Sequence, residues 1–160
     1  MRTTILTAAG LLLAAMAQAQ HVHEPAAAAA DEHDHEHAQA GAMVLNMRLD
    51  DGKKWPTDAP LRAGMAAIQA AFDADHAAIH AGTETDAQYA ALAGRIEQEV
   101  QTIIARCQLP PAADANLHHA IADLSRGVAL MRGEDPASSR HDGAALVHGA
   151  LIAYAAYFDE

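Results

Sequence analysis

A single cysteine, Cys107, is all the thiol in this 160-residue chain. No intramolecular disulfide can therefore staple it, and packing must hold the fold together. Aromatic residues make up 4% of the chain, too few for a surface that stacks on sugars or bases. Basic residues are also scarce: Lys and Arg total 10 against 21 Asp and Glu, a formal charge of -11. That balance repels nucleic acid and anionic lipid and favours cations as partners. No apolar run reaches the roughly 20 residues that a membrane-spanning helix needs, so no stable membrane insertion is expected. The Gly-x-Ser-x-Gly elbow, the His-Glu-x-x-His helix and the phosphate-binding glycine loop are all missing, and with them the usual starting points for an enzyme. Nor do the four helices carry the Glu-x-x-His repeats of di-iron bundles.

What is present in excess is histidine, at 11 residues. The first segment, "MRTTILTAAGLLLAAMAQAQ", has one Arg, a short apolar run and the small-residue pattern Ala17-Gln18-Ala19. It reads as a secretory signal peptide over residues 1–19, which places the mature chain outside the cytoplasm, in the periplasm of a Gram-negative cell or beyond it. Residues 20–42 are poor in large apolar side chains and hold "DEHDHEHAQA". Such a segment buries too little to offset its ordering entropy and is expected to be a disordered tail. Residues 43–56 form a connector with a turn signal at Asp51-Gly52, and its Val44, Leu45, Leu49 and Trp55 are expected to lie against the domain that follows.

From residue 57 to 160 the apolar period is 3.6. The first helix is capped by Thr57 or Asp58, has Pro60 in its first turn, carries Leu61, Met65, Ile68, Phe72, His76 and Ile79, and stops at Gly82. Thr85 and Gln88 form a capping box for the second, whose stripe is Tyr89, Leu92, Ile96, Val100, Ile103 and Cys107. That phase makes Cys107 a small internal residue. The third helix starts near Ala112, carries Leu117, Ile121, Leu124, Val128 and Met131, and ends at Gly133. After "EDPASS" the fourth carries Val147, Leu151, Tyr154 and Phe158. Short loops force antiparallel neighbours, so the expected fold is all-α: an up-down-up-down antiparallel four-helix bundle. Gly94, Gly127 and Gly149 fall inside helices, where each marks a candidate for tight packing.

The tail interleaves His21, His23, His33, His35 and His37 with carboxylates. Neutral imidazole binds Cu(II) and Zn(II), and nearby acids concentrate cations. In the first helix Asp73, His76 and His80 share a flank, and an i, i+4 histidine pair is a bidentate clamp for a divalent transition metal. Helical phase puts His141 and His148 on the matching flank of the fourth helix. Rise counted from the pair Leu61 and Phe158 brings His141 level with the turn from His76 to His80. The expected bundle site is therefore His76, His80 and His141, with Asp73 as a fourth or supporting ligand. His118 and His119 are given no role. Met43 and Met47 are read as apolar packing rather than Cu(I) ligands.

Together, "WPTDAPLRAGM", "CQLPPAADANLHHAIADL" and the terminal "YAAYFD" resemble small exported proteobacterial proteins with a His-rich tail, the DnrO-like group, over roughly residues 55 to 159. The resemblance implies an exported helical bundle and supplies no catalytic residues. Helix order and length also resemble the cytochrome b562 bundle, which holds haem between a methionine early in its first helix and a histidine late in its last. Met65 matches the first, but Ala155 stands in the region of the second, so haem is not expected. These readings converge on a periplasmic, non-enzymatic binder of Cu(II) or Zn(II), whose partners are metal ions and a metal-handling protein. The alternative is a structural or partner-binding bundle with a solubilising tail.

Overall fold

The computed structural model describes residues 46–159. The segment read as a signal peptide, the His-rich segment expected to be a tail, Met43, Val44, Leu45 and Glu160 lie outside the described residues. Four helices follow one another: α1 (Ala59–His80), α2 (Asp86–Arg106), α3 (Pro111–Arg132) and α4 (Arg140–Tyr157). Each packs on its neighbour in sequence, and α4 returns to α1, closing an up-down-up-down four-helix bundle. Among the described residues there is no strand, only isolated bridges at Asp50 with Lys53 and Trp55 with Phe158. None of the described helices is long and apolar enough to cross a membrane.

The helix ends follow from local chemistry. Asp58 caps α1, one carboxylate oxygen accepting from the Leu61 N–H at 2.9 Å. Its other oxygen accepts from the Gln108 N–H at 2.6 Å, which ties the start of α1 to the end of α2. Burial pushes this carboxyl up, but the N–H groups of Gln108 and Leu61 outweigh it and hold Asp58 below the usual carboxylate range. Thr85 and Gln88 form the expected capping box of α2. A second box, Ser139 with Asp142, opens α4, and Gly133 ends α3 at φ 77°.

The core is built from the predicted stripes, with Leu61, Ile68, Leu92, Ile96, Leu124, Val147 and Phe158 all fully buried. No polar or charged residue among those described is buried as a whole, so apolar area and shape hold the bundle together. Four details differ from expectation. Leu49 is 42% exposed, and Met47, at 5%, is the connector residue that enters the core. Ile121 is only partly buried. His76, placed on the apolar stripe by phase, is exposed. Cys107 is the C-cap of α2, with extended backbone, and is half-buried beside the core rather than inside it.

Glycine sets the spacing of α3 and α4, the most extensively packed pair. A Cβ built on Gly127 would stand 2.7 Å from the Gly143 carbonyl oxygen, and one on Gly143 would stand 2.6 Å from the Met131 nitrogen. Both obstacles are backbone, so the two helices touch where no side chain fits. Gly94 and Gly149, by contrast, face open space and mark no close approach.

The α1–α4 contact is looser. An open groove of about 410 Å³ runs between them, with Met65, Gln69 and Asp73 on one wall and Leu151, Tyr154 and Ala155 on the other. Consequently Gly127→Ala should destabilise the protein by about 1–3 kcal/mol through overpacking. Gly149→Ala should stabilise it by about 0.5–1 kcal/mol through helix propensity. Urea denaturation of the two variants checks the pair, and equal shifts would contradict the packing described.

Candidate metal centre

Phe72 sits in the core of α1 at 2% exposure, and the exposed His76 and His80 follow at one-turn intervals along the helix edge. On α4 the buried Val147 carries the exposed His148 to the same seam. The His148 ring stacks on Phe72 with centroids 5.3 Å apart and planes 19° apart. It meets His76 edge-on at 5.7 Å. His76 in turn lies 6.2 Å from His80 and 5.8 Å from Phe72. Imidazoles from two helices are thus gathered at one stretch of the α1–α4 seam.

His141, the expected α4 partner, joins none of these ring contacts. The ring that meets His76 belongs instead to His148, about two turns further along α4.

Carboxylates near the seam are engaged elsewhere. Asp73 accepts from Gln69 Nε2 at 2.7 Å and lines the groove, one turn before His76. Asp75 pairs with Arg95 of α2. Beyond the end of α1, burial pushes the Glu84 carboxyl above its usual range; the charge of Asp75 adds to this and Arg95 opposes it. Among the described residues, no three His, Cys, Asp or Glu side chains stand as a ready-made metal cage. His21, His23, His33, His35 and His37 lie outside the described residues. At the opposite end of α1, His118 is held by the Asp114 carbonyl oxygen at 2.8 Å.

The groove on the same seam opens between Met65 and Ala155. The chain matches no protein-family model, no curated protein and no solved structure.

Cys107 is the chain's one thiol, and it is free. Burial pushes its thiol up to about 11, and the neighbouring carboxylates of Asp58 and Asp114 add to the shift. Only the thiolate attacks disulfides or binds metals well. At pH 8 roughly one thiol in a thousand is then ionised, which argues against a redox or metal role near neutrality. Reaction with an aromatic disulfide reagent should be about a hundredfold slower than for a free thiol, and should climb with pH toward about 11. A rate near that of free cysteine would contradict this environment.

Proposed function

We propose that the protein is an exported, non-enzymatic binder of divalent transition-metal ions, Cu(II) or Zn(II), that buffers them or passes them to a metal-handling partner. The observation that carries this reading is the meeting of His76 and His148 across the α1–α4 seam at 5.7 Å, with His80 one turn away. Clustered exposed imidazoles suit borderline metal ions better than anions, sugars or lipids. In the chain as a whole, 11 histidines and a formal charge of -11 supply donors and an attractive field for cations. The tail histidines add capacity with flexible stoichiometry, while the bundle supplies donors on rigid helices.

Calorimetric titration of the full chain with Cu(II) and with Zn(II) tests this. Binding with a dissociation constant of about 1 μM or tighter is expected at pH 7.5. Binding should fade below about pH 6, because protonated imidazole has no lone pair to give. Absence of heat at pH 7.5 with both ions would reject the reading.

A further inference from the structure

We infer that one transition-metal ion bridges α1 and α4 through His76 and His148, water filling the remaining positions, and that this bridge closes the loosest of the interfaces between adjacent helices. The inference rests on the metal-binding reading and specifies its ordered site. Metal–nitrogen bonds of about 2.0–2.1 Å place each imidazole centre roughly 3.2 Å from the ion, so two rings sharing one ion stand roughly 4.5 Å apart when cis and about 6.4 Å apart when trans. His76 and His148 stand 5.7 Å apart, inside that span. The pair on one helix, His76 and His80, stands wider, at 6.2 Å.

Phe72 favours the cross-helix pair further. Its ring is anchored in the core and lies almost flat against His148, which covers one imidazole face and leaves the ring edge for ligation. Phe72 is therefore a positioning residue: it restricts an exposed side chain before any ion arrives. With Asp73 bound to Gln69 and Asp75 to Arg95, the donors at this point are imidazole and water. Such a set ranks Cu(II) above Ni(II) and Zn(II), and all of them far above Ca(II) and Mg(II). Because its two ligands belong to different helices, the ion binds the folded chain more tightly than the unfolded one. Binding then raises thermal stability.

The test uses the full chain with His21, His23, His33, His35 and His37 all replaced by Asn, so that Cu(II) reports on the bundle. This protein should bind one Cu(II) and gain about 5 °C or more in melting temperature at saturation. Both His76→Ala and His148→Phe should lose affinity about tenfold or more together with the thermal gain. His141→Ala should keep both. The Phe variant retains a ring against Phe72, and the metal-free melting temperature of each variant shows that it is folded. If His148→Phe binds within twofold of its parent, the bridge is wrong. Should the tail-substituted chain bind nothing while the native chain binds Cu(II), the bridge is wrong and metal binding belongs to the tail. If the native chain itself binds nothing, the functional reading falls with it.

Discussion

The register of α1 against α4 decides which side chains this protein brings together. It is set at one end by main-chain hydrogen bonds: the Trp55 N–H donates to the Tyr157 carbonyl and the Asp159 N–H to the Trp55 carbonyl, each near 2.8–2.9 Å. The Thr57 hydroxyl adds a bond to the Asp159 carbonyl at 2.8 Å. From this anchor the two helices run antiparallel, and each residue along α1 acquires a fixed opposite number on α4. Buried Phe72 meets His148, and one turn on His76 reaches the same ring. A slip by one residue would rotate the imidazoles by about 100° relative to the seam and dissolve the cluster.

The interfaces divide the work. Backbone contact at Gly127 and Gly143 makes α3 and α4 a close-packed pair that tolerates no added carbon. Asp58 stitches the first two helices at one end, and Arg132 with Glu97 pairs α2 with α3. The remaining side, between α1 and α4, is held at its end and carries a groove along its length. Exposed, ring-stacked histidines on that side have room to change rotamer. A tight interface would have buried them and demanded fixed partners.

Much of this was legible from residue types alone. The helix limits followed from Asp58, Thr85, Gly82 and Gly133, because caps and left-handed glycines act locally. The apolar stripes named the core, since a 3.6-residue period survives any arrangement of neighbours. Glycine roles were not legible: Gly127 and Gly149 look alike in sequence, and only the partner helix separates a backbone crossing from open space. The choice of His148 over His141 was hidden for a related reason. Both share the flank, and which of the two rings meets His76 depends on how α1 and α4 pack. Helical phase, which puts His148 on the same flank as His141, is the signal that could have found it.

The central claim is that the bundle's imidazoles, and His148 among them, hold the ion. Nitrogen-15 labelling of histidine in the full chain, followed by substoichiometric Cu(II), makes every imidazole near the paramagnet lose its NMR signal. The account predicts that His76 and His148 ring signals broaden first and together, ahead of His118, His119 and His141. Broadening confined to the tail histidines, with the His76 and His148 signals intact, would contradict it.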